Sequence, residues 1–287
     1  MKSLLILTDF SANGDNAARY GYHLAKALKL NVILCNAVII PAQIAVAGDI
    51  VWPMDGYDSV MDDSDKQLTR LREDFEDENI IGDFQPQVSC INQTGRLDDV
   101  VSIVTDSYHP TLIVMGIHNK GIANILADDN SKNMINATKC PLLLVPSGKL
   151  FSNLDKIAFA TSFEYPDLDC EDIFKIIYMA NAFSAQILIA HVHDEKSEVS
   201  KADADLIIKI STHTKYPNIC YRSIQNEHLI TGLDLFCMDE EINLLVMVHR
   251  PHNFIDIILK GSQTQKMATH IAIPLLVLPD EKIELAL

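Results

Sequence analysis

Four landmarks occur in one order along the first half of the chain and return in the same order along the second. Leu4-Leu5-Ile6-Leu7-Thr8-Asp9-Phe10 has the form of a buried strand ending in a polar turn, and Ile157-Ala158-Phe159-Ala160-Thr161-Ser162-Phe163 repeats it. After each comes a helical stretch with apolar residues three and four apart, through Ala17, Tyr20, Leu24 and Leu28 and through Ile173, Phe174 and Ile177. A second buried-type strand then follows, Asn31-Val32-Ile33-Leu34-Cys35 and Gln186-Ile187-Leu188-Ile189-Ala190. Thr111–Gly116 is matched by Asn243–Val248, and Cys140-Pro141-Leu142-Leu143-Leu144-Val145-Pro146 by Ile273-Pro274-Leu275-Leu276-Val277-Leu278-Pro279. Repetition of this kind means duplication of a folding unit. The first copy is the longer by one insertion, Pro41–Asp65, which contains Trp52 and Tyr57 and shows no clear helix.

Within each copy strands alternate with helices: five strands, with helix two expected over Asp65–Asp77 and over Ser197–Thr212. Third strands are expected over Gln85–Asn92 and Asn218–Gln225. Continuously apolar strands alternating with helices specify a parallel sheet covered on both faces. The expected architecture is therefore α/β, two doubly wound five-stranded domains over 1–148 and 153–281, with Pro-Ser-Gly-Lys at Pro146–Lys149 punctuating the join. Such sheets bind ligands beyond the carboxyl ends of the strands, where the strand order reverses.

The formal net charge of −16 disfavours nucleic acid and anionic lipid as partners, and no basic run exceeds two residues. Met1-Lys2-Ser3 precedes an apolar run too short for a signal peptide, and no stretch is long and apolar enough for a membrane span. The six cysteines contain no CxxC pair. A cytoplasmic location with reduced thiols is the expectation.

A first strand ending Thr-Asp-Phe-Ser, a strand ending Val-Met-Gly and a closing Cys-Pro-Leu-Leu-Leu-Val-Pro resemble the universal stress protein domain, twice over. The resemblance implies an adenine nucleotide alpha hydrolase-like fold, a regulatory rather than catalytic role, and ATP binding in many members. It also implies pairing of the copies as a pseudo-twofold intrachain dimer, through Pro141–Val145 and Pro274–Leu278. The family's nucleotide motif is Gly, two residues, Gly, nine residues, Gly, then Ser or Thr. Its glycines let backbone N–H groups approach phosphate. Carried onto this chain, the first copy keeps Asp9 and Gly116, with Ala37 at the end of its second strand. Asn119 stands at the second glycine position with Gly121 close by, and Asn130 follows Asp128 and Asp129 at the final pair. In the second copy Ser162 replaces the Asp, Val192 ends the second strand, and Val248 and Pro251 replace two glycines, while Gly261-Ser262 survives. Both sites are degenerate, so ATP binding is expected to be weak or absent.

His191, His193, His249 and His252 follow strand ends of the second copy and could converge on zinc. The same placement also fits a histidine common at this family position together with two solvated ones. No Gly-x-Ser-x-Gly elbow or activated cysteine points to catalysis. The expected function is a non-enzymatic stress-response protein. The alternatives are an ATP-binding regulator or nucleotide hydrolase using one surviving site, and a scaffold acting through its surface.

Overall fold

The computed structural model describes residues 2–39, 54–78, 84–118, 129–162, 165–193, 215–226, 229–250 and 273–280, with 210 and 212. Ten strands and six helices are described. They are β1 (Ser3–Leu7), α1 (Ala12–Leu28), β2 (Asn31–Val38), α2 (Met54–Asp77), β3 (Val88–Thr94), α3 (Leu97–Tyr108), β4 (Leu112–Ile117), α4 (Asp129–Ala137) and β5 (Leu142–Pro146). The second copy gives β6 (Lys156–Ala160), α5 (Pro166–Phe183), β7 (Gln186–His193), β8 (Ile219–Gln225), α6 (Leu229–Asp239), β9 (Leu244–His249) and β10 (Leu275–Pro279).

The chain divides into two compact units, 1–116 and 117–287. In the first unit the strand order is β3-β2-β1-β4, and β1 pairs in parallel with both β2 and β4. In the second the order is β5-β10-β9-β6-β7-β8. There β10, β9, β6, β7 and β8 run parallel, while β5 is antiparallel to β10. The sequence repeat assigns β5 to the first copy, whereas its pairing with β10 draws it into the second compact unit. That ladder is symmetric about Leu143 opposite Leu276, with Leu144 facing Leu275 and Leu142 facing Val277.

The inner strands are buried on both faces, which is why they read as unbroken apolar runs: Leu4, Leu5 and Ile6 in β1 and Ile157, Ala158 and Phe159 in β6 are fully buried, whereas β3 and β8 carry no buried residue and mix polar with apolar side chains. Burying each large aliphatic contributes about 1.5–3 kcal/mol. The helices bury one face only. In α1 this face is Ala17, Ala18, Leu24, Ala25 and Leu28, and the helix ends at Lys29 in the left-handed conformation. Among the described residues no helix is long and apolar enough to cross a membrane.

Two sequence expectations shift. Helix α2 begins at Met54 rather than near Asp65, so the later part of the Pro41–Asp65 insertion is helical. The third strand of copy one runs Val88–Thr94 rather than Gln85–Asn92, because its pairing with β2 continues to Val38 opposite Thr94. Residues 40–53, with Trp52, and nearly all of Ser197–Thr212 lie outside the described residues.

Candidate functional site at the strand switch points

In the first unit the strand order reverses between β1 and β4, which places the crevice at Thr8–Ser11 and Gly116. The chain leaves β1 through Phe10, whose φ of 58° is left-handed, and Ser11 caps α1 by accepting the Gly14 N–H at 3.1 Å. Asp9 Oδ1 accepts from the Ser11 N–H at 3.0 Å and from the Ser11 hydroxyl at 2.6 Å. The carboxylate that the family pattern assigns to a ligand is therefore exposed but tied to the helix cap.

Gly116 has a local reason to be glycine. A Cβ there would stand 2.6 Å from the Asn13 carbonyl oxygen and 3.1 Å from the Ala17 Cβ. The end of β4 is thus pressed onto the first turn of α1. On the other side of that turn, a Cβ at Gly14 would meet Asp9 Oδ1 at 2.5 Å. Asp9 and Gly116 are brought to the same helix turn, and the closeness is between protein groups.

The flank toward β2 and β3 is a polar chain. Asn36 Nδ2 donates to the Thr8 carbonyl at 2.7 Å. The Ser64 hydroxyl, buried on α2, lies 3.1 Å from Asn36 Oδ1 and 2.9 Å from Asn92 Oδ1. Asn92 Nδ2 donates to Asp65 and to the Met61 carbonyl. Ala37 is half-buried on β2, opposite Gln93 of β3. Asn130 is exposed in the first turn of α4, which belongs to the second compact unit, and Gly121 lies outside the described residues.

In the second unit the order reverses between β6 and β9. Thr161 follows β6 and Arg250 follows β9. The Thr161 hydroxyl donates to Asp169 Oδ2 at 2.6 Å, and Arg250 Nη1 donates to Asp169 Oδ1 at 2.6 Å. Arg250 Nη2 pairs with Asp172 Oδ2, and Nε lies 3.6 Å from Asp280 Oδ1. Lys175 Nζ bonds the other Asp172 oxygen at 3.1 Å. The Tyr165 ring centroid is 5.9 Å from the guanidinium carbon. Arg250, Asp169 and Asp172 side chains are at most 5% exposed. Burial pushes both carboxyls above the usual carboxylate range, and Arg250 opposes that shift.

Sequence reasoning missed this cluster. Asp169 and Asp172 are three apart and share a helix face, which was the available signal. Arg250 reaches them only through the fold. Of the residues expected at this site, Val192 lies on β7, opposite Ile224 of β8. Gly261 and Ser262 fall outside the described residues.

The histidines are spread over separate strands. His191 and His193 lie on β7 and His249 ends β9, with β6 between them, so the strand axes are roughly 10 Å apart. His252 lies outside the described residues, among which no group of three or more His, Cys, Asp or Glu is placed to hold a metal ion.

Against known families, the universal stress protein family model matches residues 1–146. The chain belongs to the universal stress protein family. No curated protein sequence matches it. Among solved structures, it is similar to a universal stress protein from Archaeoglobus fulgidus at 14% identity and a TM-score of 0.71, covering 97% of this chain and 98% of that one. A putative universal stress protein from Pseudomonas aeruginosa is similar at 12% identity and 0.57, covering 97% and 93%. The cytoplasmic domain of a prokaryotic cation chloride cotransporter is similar at 10% identity and 0.50, covering 96% and 94%. At these identities the likeness is one of fold, and it extends over nearly the whole chain.

Proposed function

We propose that this universal stress protein is a non-catalytic cytoplasmic stress-response protein whose two nucleotide-type sites have degenerated, so that ATP binds weakly or not at all. One observation supports this: in the first copy the Asp9 carboxylate is tied to the Ser11 helix cap and Gly116 is packed on Asn13, and in the second copy Ser162 stands where the carboxylate would. In the first copy Gly116 is spent on contact with Asn13, with Asn119 at the next motif position. At the positions of the motif's closing Gly and Ser or Thr the first copy carries Asp129 and Asn130, next to Asp128 in the sequence, in place of the residue types that suit a phosphate. In the second copy Ser162 and Val248 stand at the two positions. Losing a charged hydrogen bond weakens binding by about 1.5–3 kcal/mol.

Calorimetric titration with ATP and Mg²⁺ tests this. A dissociation constant weaker than about 100 μM, or no heat, is expected, and a low-micromolar value overturns it. Intact-mass measurement on gently purified protein reads any other trapped small molecule as a discrete increment. Zinc on the histidines of copy two is the other cofactor to test. Elemental analysis of zinc-replete protein is expected to show less than about a tenth of an equivalent.

A further inference from the structure

We propose that Arg250 is a built-in occupant of the second copy's switch-point crevice: a guanidinium carried by the chain fills the place open to a separate ligand in a doubly wound sheet. This deepens the proposed function, and rests on it, by assigning any exchangeable ligand to the first copy.

The placement follows from topology. The crevice of this unit lies beyond the carboxyl ends of β6 and β9. Arg250 is the residue immediately after β9, and its side chain crosses to the first turns of α5. There it meets Asp169, which also accepts from Thr161, the residue immediately after β6. One hydrogen-bonded path, Arg250–Asp169–Thr161, joins the two strand ends across the reversal. A third strand end contributes Asp280, immediately after β10.

The chemistry is that of a receptor for a planar cation. The three guanidinium nitrogens each face a different carboxylate, Asp169, Asp172 and Asp280, and Tyr165 stands beside the group. Two buried carboxylates, Asp169 and Asp172, with Asp280 at the exposed edge, need a cation among them, and Arg's fixed fork of donors suits that better than a point charge. The first copy differs at each element. Its Thr8 hydroxyl accepts from the Phe10 N–H instead of donating to a helix carboxylate. Its α1 carries Gly14 in the first turn and Ala17 three residues on, the same spacing as Asp169 and Asp172 in α5.

The test is chemical rescue in the full chain. Arg250→Ala is expected to lower Tm by about 10 °C, since a buried pair broken on one side leaves its carboxylates uncompensated. Methylguanidinium at about 10 mM is expected to restore part of that loss, rising with concentration as mass action requires, while wild type stays unmoved. Equal sodium chloride should restore none. If methylguanidinium does no better than sodium chloride, the crevice is not a guanidinium receptor and the proposal falls.

Should Arg250→Ala not fold, wild-type protein gives the answer by dicarbonyl modification with peptide mapping. Arg250 is expected to be protected while Arg96, with a 72% exposed side chain, reacts. Equal rates at the two arginines overturn the assignment. Tight ATP binding abolished by Asp9→Ala would end the weak-binding reading but leave Arg250 in place. Binding that persists in Asp9→Ala puts the nucleotide in the second copy and defeats the proposal.

Discussion

The α carbon of Gly116 sits so close to Asn13 that a methyl group on it would stand 2.6 Å from the Asn13 carbonyl oxygen. That oxygen belongs to helix backbone and cannot swing away, so Gly116→Ala has to move β4 or α1. The expected cost is about 1–3 kcal/mol, the range for forcing extra volume into a packed site. Gly14→Ala is the informative comparison. Its nearest obstacle at 2.5 Å is Asp9 Oδ1, the end of a side chain, and alanine adds helix propensity of about 1 kcal/mol. Urea unfolding is expected to show a lower midpoint for Gly116→Ala and a smaller loss for Gly14→Ala, where Asp9 Oδ1 must leave Ser11 and the Asp9 backbone nitrogen at 3.2 Å must give slightly. Equal losses would mean that β4 is not braced on α1 as described.

Tyr22 and Phe75 stack with centroids 4.5 Å apart and planes 10° from parallel, and the Tyr22 hydroxyl donates to the Phe75 carbonyl at 2.9 Å. That carbonyl lies in the last turn of α2, where backbone acceptors lack helical donors. Tyr22→Phe keeps the stack and removes only the hydroxyl, stranding a buried acceptor. The expected loss is about 1–3 kcal/mol, read as a lower urea midpoint with an unchanged slope. A variant as stable as wild type would show that water or another donor serves Phe75.

The inner strands were legible because burial on both faces leaves them continuously apolar, and duplication let each copy check the other; β3 and β8, with no buried residue, gave a weaker pattern. Helix α2 was not legible at its start. Tyr57 is 40% and Val60 49% exposed, so the apolar residues there follow no buried stripe, and Pro53 just before Met54 was the only punctuation. The end of β3 depends on its register against β2, which no local pattern encodes. At the sites, Asp9 and Gly116 were found because motif spacing names them. What each does instead of binding phosphate is a matter of contacts, with Ser11 and with Asn13. The Arg250 cluster joins residues from the start of α5 and the ends of β6, β9 and β10, a meeting that only the fold produces.

Stability should depend on pH through His23. Burial lowers its imidazole below the usual value of 6.5, Lys26 and Arg19 push the same way, and Glu78, 3.7 Å from Nε2, opposes them. The unfolded chain therefore takes up a proton at higher pH than the folded one does. Between pH 6.5 and the lower folded value, unfolding is favoured progressively as pH falls. Comparing wild type with His23→Gln between about pH 7.5 and 5.5 isolates this contribution from that of the carboxylates. The variant is expected to lose less stability on acidification. An identical profile would assign the His23 ring to solvent.

Thiol reactivity should follow burial closely. Burial pushes the Cys35 and Cys237 thiols up to about 12, with Asp234 adding to the shift at Cys237, and both side chains are buried. At pH 8 a thiol of that kind is thiolate in only about 1 molecule in 10,000, and the reagent has no path to it. Cys90 is exposed on β3, and its sulfur faces the Leu68 carbonyl at 3.7 Å. Partial burial raises its pKa as well, while Arg72 pulls it back down. Cys90 should therefore label first, though more slowly than free cysteine, followed by the half-buried Cys140 and Cys220. Maleimide labelling of native protein, quenched over time and mapped by mass spectrometry, gives the order directly. Labelling of Cys35 or Cys237 is expected only after denaturation, which would leave neither thiol available as a fast redox sensor. Modification of either at the rate of Cys90 would mean that its strand or helix opens on the labelling timescale, contrary to the burial of both side chains.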